Sequence, residues 1–376
     1  MNYGKQSVDE KDIQEVISVL KSNYLTTGPN VLKFEGEVAD FVGSKYAVVV
    51  SSGTAALHLA CLAVDLKEGD ELITSPITFV ASANCALYCG AKPIFSDVNK
   101  NGLIRPEEIK KKVSSKTKVL IPVHYSGLSC DLENISKVAK ENNLILIEDS
   151  CHALGAKYKN SKIGDCKYSD MCIFSFHPVK HITTGEGGMI TTNSKELYNK
   201  LIMLRSHGIV KNDEKYVNDS HGPWYYEMQE LGFNYRITDF QCALGSSQLK
   251  KIDKFISKRR EIAKKYNEAF EKNSNIKILK ESENTFNPYH LYVIKVKDSE
   301  TRLNLFNYLS AREIFCQVHY IPVYLQPYYQ KLGYAQDICP VAEEFYSKII
   351  SIPMYPDLTE EEQKKVIKSI GEFFGR

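Results

Sequence analysis

The first two thirds of the chain alternate between short apolar runs and stretches of helical length, and this alternation restricts the possible folds more than any other feature. In order, the first segments are YAVVVSS, TAALHLACLAV, DELITS, VASANCALYCG and KPIFSDV. Strands that alternate with helices are typical of a parallel sheet with crossover helices. The rhythm continues through KVLIPVHY, LENISKVAKENN, LILIED, DMCIFSF and GGMITTN, which predicts an α/β fold with seven strands in one mainly parallel sheet.

The pattern changes after the seventh strand. A long amphipathic helix is predicted from about Leu244 to Lys272. The rest contains LYVIKV, the helical LNLFNYLSA, the strand-like FCQVHYI and a terminal helix from Thr359, which indicate a small α+β domain. Because a single core seldom grows beyond roughly 250–300 residues, we predict a large domain over residues 1–250 and a small one over 251–376.

Charge and cysteine content argue against several classes of partner. The formal net charge is +2, which gives no field for nucleic acid or an anionic membrane. No apolar run approaches the roughly 20 residues that span a bilayer and the N-terminus is polar, so we expect a cytoplasmic protein. The ten cysteines lie in apolar or mixed segments, and no Cys/His set accompanies the closest pair, Cys85 and Cys89. We therefore expect core thiols and no metal site.

The segment LILIEDSCHALGA ends a buried strand with two acids, Glu148 and Asp149. An acid at the carboxyl end of a sheet strand faces the crevice in which α/β proteins bind ligands. The Asp149 carboxylate can cap a following helix or meet a cationic cofactor ring, and the segment alone leaves both readings open.

A phosphate seat is predicted where SSGTAALHLA joins a strand to a helix. The residues at this junction are Ser51, Ser52, Gly53 and Thr54. They combine hydroxyl groups and a glycine with the unpaired N–H groups of a helix N-terminus, although an ordinary helix cap is the alternative. The later GEGG segment precedes a strand pattern, so it is not a dinucleotide or Walker loop, and its glycines are predicted to let the chain turn close to a ligand.

One lysine, Lys180, stands in the charge-poor segment FSFHPVKHITTGEGG. Most lysines are surface cations, but burial lowers the pKa of a lysine and makes its amine a nucleophile. Ser175 lies five residues before it, and Asp149 and the phosphate seat lie upstream. Together they supply what pyridoxal phosphate needs: a Schiff-base lysine, a partner for the pyridine nitrogen and a phosphate cradle.

These segments resemble the fold-type I pyridoxal-phosphate enzymes that aminate nucleotide-linked keto-sugars. The resemblance runs nearly end to end and includes LTTGPNVLKFE, SSGTAALHLACLAV, SPITFVASANCALYCGAKP, IEDSCHALGA, FSFHPVKHITTGEGG and GFNYRITDFQCALGSSQL. GPWYYE and VHYIPVYLQPYY are most similar to the branch that aminates a UDP-sugar at C4 in pseudaminic acid biosynthesis. A related dehydratase branch carries histidine in place of the Schiff-base lysine, whereas Lys180 places this chain with the transaminases.

The resemblance implies a role for each matching position. The implied cofactor contacts are Gly53, Thr54 and Ser175 at the phosphate, Phe79 on the ring face, Asp149 at the pyridine nitrogen, His152 at or beside the phenolic oxygen, Lys180 as covalent anchor, and Asn234 reaching the phosphate from a second subunit. Candidate contacts to the sugar nucleotide are Tyr3, Lys5, His207, Tyr235, Arg236, His319 and Tyr320. The enzyme would thus be a homodimer with both sites at its interface.

Three positions depart from the family pattern. Ser51 stands where relatives often carry asparagine, and we expect the phosphate amides to be unaffected. His124 stands where an acid is more usual, and we expect it to lie close enough to the site to alter substrate preference. Cys151 replaces a small residue and is interpreted as a packing variant.

The implied reaction moves the amino group of L-glutamate to C4 of a UDP-4-keto-6-deoxy-N-acetylhexosamine, with pyridoxamine phosphate as the carrier. Lys180 would move the proton in both half-reactions. One alternative is an aminotransferase for another nucleotide keto-sugar, of the bacillosamine, legionaminic or dTDP-sugar type. The other is a protein that binds pyridoxal phosphate without turnover, against which the complete lysine, aspartate and phosphate set argues.

Overall fold

The computed structural model describes residues 1–375, apart from the side chain of residue 213. Fifteen strands occur in the described part of the chain. They are β1 (Tyr46–Val50), β2 (Glu71–Thr74), β3 (Lys92–Phe95), β4 (Thr117–Ile121), β5 (Ile145–Asp149), β6 (Lys157–Tyr158), β7 (Ser161–Lys162), β8 (Met171–Ser175), β9 (Gly188–Thr192), β10 (Ile209–Val210), β11 (Glu227–Met228), β12 (Lys277–Ile278), β13 (Thr285–Phe286), β14 (Tyr292–Lys295) and β15 (Ile349–Ile352).

Thirteen α-helices occur in the same residues. They are α1 (Glu10–Leu20), α2 (Pro29–Val42), α3 (Gly53–Ala63), α4 (Ala81–Tyr88), α5 (Pro106–Lys112), α6 (Leu132–Glu141), α7 (Lys195–Arg205), α8 (Asp239–Leu249), α9 (Ile252–Phe270), α10 (Ser299–Ser310), α11 (Pro327–Lys331), α12 (Pro340–Lys348) and α13 (Glu360–Phe373). None of these helices is long and apolar enough to cross a membrane.

The seven predicted strands form one sheet, in the order β1-β9-β8-β5-β4-β2-β3. Strands β8, β5, β4, β2 and β3 pair in parallel, and β9 runs antiparallel to both of its neighbours, β1 and β8. The prediction of a mainly parallel sheet is confirmed. Because β1, β2, β4, β5 and β8 all end at the same edge, the segments that follow them meet there.

Helices cover both faces of this sheet, which explains why its strands are continuously apolar. Leu57 of α3, Cys85 of α4 and Leu201 of α7 pack into one buried cluster with Ile147 of β5. Phe34 of α2 packs into a second cluster, with Cys242 of α8 and Phe174 of β8. The cysteines are buried core thiols or half-buried, and none forms a disulfide in the described residues.

A smaller antiparallel sheet, in the order β12-β14-β15, lies in the C-terminal part of the chain. Its core is shared with α9, α10 and α13 through Tyr266, Leu305 and Val366. The segment FCQVHYI does not form the predicted strand: only two isolated bridges, from Phe315 to Asn2 and from Gln317 to Ser351, join it to other backbone.

The long helix predicted over residues 244–272 is two helices, α8 and α9, which meet at Lys250 and Lys251. Lys251 Nζ lies 2.6 Å from Asp12 Oδ2 and 3.0 Å from Asp9 Oδ1. Gln248, in the last turn of α8, donates to the same Asp12 oxygen at 2.6 Å. Side chains at the break between α8 and α9 are thus bonded to the start of α1, and local periodicity does not reveal this contact. The domain boundary at residues 250 and 251 remains a prediction.

A buried ion pair joins α2, β1 and α7. Arg205 Nη1 donates to Glu35 Oε1 at 2.6 Å and to the carbonyl oxygen of Val49 at 2.7 Å. The N–H of Val49 donates to the same carboxylate at 2.9 Å. Burial raises the pKa of Glu35 although Arg205 lowers it, so burying this carboxylate is costly and its charge depends on the arginine.

Replacing Arg205 with methionine should lower the free energy of unfolding by about 3 kcal/mol, because it leaves a buried carboxylate without its counter-ion. Adding Glu35→Gln should recover much of that loss, since the amide oxygen still accepts from Val49 and no charge stays buried. Denaturant unfolding of the single and double variants measures both effects. A double variant that is less stable than Arg205→Met would contradict this account.

Candidate active site

A cavity of about 830 Å³ opens at the carboxyl edge of the large sheet. Segments that follow β1, β2, β5 and β8 line it, together with residues from the N-terminus and from the segment before α11. The predicted site residues that line it are Tyr3, Gly53, Thr54, Phe79, Asp149, His152, Ser175, Lys180, His319 and Tyr320. The fold therefore gathers ten positions that are spread along the sequence into one space.

The Asp149 carboxylate is the most firmly held acid of the cavity. It is the last residue of β5 and is 5% exposed. Ser82 Oγ donates to Oδ2 at 2.6 Å, and the N–H of Cys151 donates to Oδ1 at 3.1 Å. Turn residues follow it and the next helix is α7, so the helix-cap reading of Asp149 is wrong. The two donors, one to each oxygen, fix the orientation of the carboxylate.

Lys180 lies in the turn between β8 and β9, and its backbone N–H donates to the carbonyl oxygen of His177 at 2.9 Å. Burial lowers the pKa of its amine below the usual 10.5, and the nearby Asp149 carboxylate opposes that shift. Among the described residues, its Nζ forms no ion pair. A larger fraction of Lys180 is therefore neutral near pH 7 than of an exposed lysine.

The N-terminus of α3 offers two free backbone donors. Ser52 is the N-cap: its Oγ accepts from the N–H of Ala55 at 3.1 Å, and its carbonyl oxygen accepts from Ala56 at 3.0 Å. These bonds leave the N–H groups of Gly53 and Thr54 without a partner in the described chain. Both residues line the cavity, and the helix dipole adds positive potential there.

Two glycines permit the close packing of this seat. A Cβ atom on Gly53 would lie 3.0 Å from Ser175 Cβ and 3.4 Å from Cys151 Sγ. One on Gly188, the last residue of GEGG, would lie 2.3 Å from the carbonyl oxygen of Ser52. Gly188 therefore lets β9 approach the backbone of the seat, while the left-handed Gly185 (φ +80°) makes the turn before it.

Aromatic and imidazole rings form the opposite wall. Phe79 is exposed at the mouth, with its ring centroid 6.4 Å from that of Tyr320. His152 stacks beside Tyr320, at 6.0 Å, and against His290, at 4.3 Å. Burial lowers the pKa of His152 and of His290 well below the usual value, so both rings are neutral.

Sequence reasoning missed two residues of the site, Ser82 and His290. Ser82 lies in the predicted helix ASANCALYCG. Its Oγ bonds to Thr78 Oγ1 at 2.6 Å and donates to Asp149. No motif marks either residue in a single sequence.

Five predicted residues do not line the cavity: Lys5, His207, Asn234, Tyr235 and Arg236. The first three have exposed side chains, and Tyr235 Oη instead bonds to His58 Nδ1 at 3.0 Å.

Two of the three departures from the family pattern also lie away from the cavity wall. Ser51 donates its N–H to the carbonyl oxygen of Tyr235 at 2.9 Å. His124 is fully buried, with Nε2 at 2.8 Å from Glu148 Oε2, and does not line the cavity, so its expected effect on substrate preference stays a prediction. Cys151 does line the cavity.

Comparison with known proteins identifies the chemistry of this cavity. Residues 6–371 match the model of the DegT/DnrJ/EryC1/StrS aminotransferase family. The chain belongs to that family. It is therefore a pyridoxal-phosphate-dependent aminotransferase, and the predictions of fold class, enzyme class and cofactor are confirmed.

Two relatives of this aminotransferase carry different sugar names. The UDP-4-amino-4,6-dideoxy-N-acetyl-beta-L-altrosamine transaminase of Campylobacter jejuni is 39% identical over 97% of this chain and 95% of the relative. The GDP-perosamine synthase of Escherichia coli O157:H7 is 36% identical over 98% of this chain and 97% of the relative.

Solved structures agree with the fold of this aminotransferase. Helicobacter pylori PseC, an aminotransferase involved in the biosynthesis of pseudoaminic acid, superimposes with a TM-score of 0.92 at 34% identity, over 99% of this chain and 98% of that one. Spr1654 of Streptococcus pneumoniae, solved in its PLP form, has a TM-score of 0.92 at 28% identity, over 99% and 98% of the two chains.

The residues present fit pyridoxal phosphate. The two unpaired amides of α3 and the Ser175 hydroxyl suit a phosphate, and the space beside Gly53 is one that a Cβ would fill. Asp149 suits a protonated ring nitrogen, and the buried amine of Lys180 suits an aldehyde.

Replacing Gly53 with alanine should weaken binding of pyridoxal phosphate by at least roughly tenfold, because the new methyl group would press on Ser175 and displace the seat. Cofactor titration followed by absorbance measures this. Gly36→Ala is the matched control: its Cβ meets nothing within 4 Å on α2, so binding should be unchanged. Equal affinities for Gly53→Ala and wild type would show that the seat lies elsewhere.

Proposed function

We propose that the enzyme transfers the amino group of L-glutamate to C4 of a UDP-4-keto-6-deoxy-N-acetylhexosamine. The observation that carries the proposal is the single cavity in which the Lys180 amine, the Asp149 carboxylate and the free amides of α3 converge. The substrate class is supported by relatives that are named for UDP-sugar transamination and match nearly the whole chain.

The cofactor residues hold and polarise the pyridoxal phosphate. When bound, this group accepts into its ring the electrons that proton removal releases. Asp149, held by Ser82 and by the Cys151 N–H, would pair with the ring nitrogen. The amides of Gly53 and Thr54 would hold the phosphate, and Phe79 would cover a ring face.

Lys180 moves the proton. Its buried amine accepts the Cα proton of L-glutamate, because burial lowers its pKa and leaves it neutral part of the time. In the second half-reaction the same Nζ donates a proton at C4 of the sugar. One amine that serves both steps fixes the face of the sugar that receives the proton, and so the configuration of the product.

A second copy of the chain completes the site in this proposal. Lys5, His207 and Asn234 expose their side chains outside the cavity, although they stand in motifs that the family resemblance assigns to the site. Asn234 of one copy would reach the phosphate in the other, and the exposed Phe79 would be covered by the contact. The enzyme is then a homodimer with two shared sites.

A nucleotide keto-sugar of another type is the second candidate substrate. The relative named GDP-perosamine synthase is almost as similar to this chain as the altrosamine transaminase is. The assay below decides between the two classes.

The substrate assignment is tested by absorbance of the cofactor in two steps. L-glutamate should convert the lysine-bound form to pyridoxamine phosphate, and the UDP-4-keto sugar should restore it, whereas GDP- and dTDP-4-keto sugars should restore it at least roughly tenfold more slowly. Faster restoration by a GDP- or dTDP-sugar would refute the UDP assignment but not the aminotransferase. Lys180→Ala should fold and give neither step.

Replacing Lys180 with methionine should stabilise the apoenzyme at pH 7. The folded pKa of Lys180 lies below the unfolded 10.5, so folding buries a charge at low pH, and that cost fades as pH rises toward 10.5. The gain in Tm over wild type should therefore be largest below the folded pKa and should shrink toward pH 10.5.

Thermal melts of the apoenzymes at a series of pH values up to 10.5 measure this difference. The exposed Lys45 provides the control variant, Lys45→Met, which should follow wild type at every pH. A gain for Lys180→Met that is independent of pH would mean that the lysine is not buried in its charged form.

A further inference from the structure

Two polar contacts fix the imidazole of His152 at the cavity wall. Its Nδ1 lies 3.3 Å from the backbone nitrogen of Ser126, and its Nε2 lies 3.1 Å from Tyr320 Oη. A backbone N–H can only donate, so Nδ1 accepts this bond and carries no proton.

The donor at Ser126 cannot easily turn away. Ser126 has a left-handed backbone (φ 64°), its Oγ donates to the carbonyl oxygen of Leu291 at 2.9 Å, and its own carbonyl oxygen accepts from the N–H of Leu291 at 3.4 Å. All of these groups are buried. The fold itself therefore imposes the tautomer of His152.

The ring carries a single proton. Burial, first, and then the positive charge of Lys180 lower the pKa of His152 well below its usual value. A neutral imidazole with a bare Nδ1 has its proton on Nε2. Nε2–H is then the donor in the bond to Tyr320.

Tyr320 must consequently direct its own hydrogen elsewhere. Its oxygen accepts from His152, so its O–H cannot point back at the same nitrogen, and no other bond of this hydroxyl occurs among the described residues. Tyr320 lines the cavity together with Lys180 and Asp149. Burial raises the pKa of Tyr320 well above 10, so the phenol keeps its proton and remains a donor.

We propose that the Tyr320 hydroxyl donates the hydrogen bond to the phenolic oxygen of bound pyridoxal phosphate, and that His152 is a positioning residue that turns this hydroxyl into the cavity. The family resemblance places His152 at or beside the phenolic oxygen, but here the one N–H of that ring is already used by Tyr320. A donor at this oxygen stabilises its anionic form. The inference rests on the placement of the cofactor in the proposed function and not on the identity of the sugar.

The first test is a pH titration of the lysine-bound cofactor by absorbance, without any substrate. Tyr320→Phe should raise the apparent pKa of that form by about one unit, because its anionic oxygen loses a donor. The control is Tyr328→Phe, since Tyr328 is exposed and outside the cavity, and it should titrate as wild type. An unchanged titration in Tyr320→Phe would overturn the proposal.

Two substitutions of His152 separate positioning from direct contact. In His152→Gln the amide oxygen can still accept from Ser126 and the amide nitrogen can still donate to Tyr320, so the titration should stay within roughly 0.3 units of wild type. His152→Leu should shift it as Tyr320→Phe does, and combining the two should add nothing further. A shift in His152→Leu but not in Tyr320→Phe would mean that His152 contacts the oxygen itself.

The tautomer is tested on the apoenzyme by NMR of ¹⁵N-labelled histidine, with the His152 signal assigned by its loss in His152→Gln. The proposal requires the proton on Nε2, both in wild type and in Tyr320→Phe; a proton on Nδ1 would refute it. If wild type gives no lysine-bound absorbance, the placement of the cofactor falls, and this proposal with it. If only the UDP-sugar assay fails, both remain.

Discussion

A carboxylate and an amine are buried in one cavity without being paired, and the rest of the site depends on that separation. Had Lys180 and Asp149 formed an ion pair, each would have satisfied the other and neither would be available to a ligand. Instead, Ser82 and the Cys151 N–H hold the carboxylate, and burial lowers the pKa of the amine. These groups come from the ends of three parallel strands, β2, β5 and β8, or from the segments that follow them, so the sheet brings them together.

Local periodicity was enough to predict the large sheet, because each strand is a short apolar run bounded by polar residues and each crossover has helical spacing. Local periodicity failed where contacts between residues far apart in the sequence determine the backbone conformation. Lys250 and Lys251 continue a helical pattern without glycine or proline. The helix nevertheless ends there, because Lys251 bonds to Asp12 of α1. FCQVHYI reads as a strand, but Phe315 and Gln317 find only single bridges, while the later His319 and Tyr320 face the cavity.

Residues of the candidate site could be predicted where a sequence motif identifies them, as at Lys180 and Asp149. They could not be predicted where the role of a residue depends on a bonding partner far away in the sequence. Two adjacent acids end β5, and side chains on a strand alternate between its faces. Glu148 therefore turns to His124 and Ser169, where it is structural, and only Asp149 enters the cavity. Ser82 was missed because a serine inside a helix carries no sign that its hydroxyl meets a carboxylate far along the chain.

The difference between residues that a motif identifies and residues that depend on distant partners also explains why the reaction is easier to recognise than the sugar substrate. Most of the residues predicted to contact the cofactor line the cavity at the sheet edge of one chain, so their identity is restricted by packing as well as by chemistry. Lys5 and His207, which were expected at the sugar nucleotide, are instead exposed, outside the cavity wall of their own chain. In the proposed homodimer, such positions could change without disturbing Lys180 or Asp149, which is consistent with relatives named for UDP- and GDP-linked sugars that match this chain almost equally well. Specificity would then depend on how two copies meet at the mouth of the cavity, while Lys180 and Asp149 are positioned by the fold of one copy.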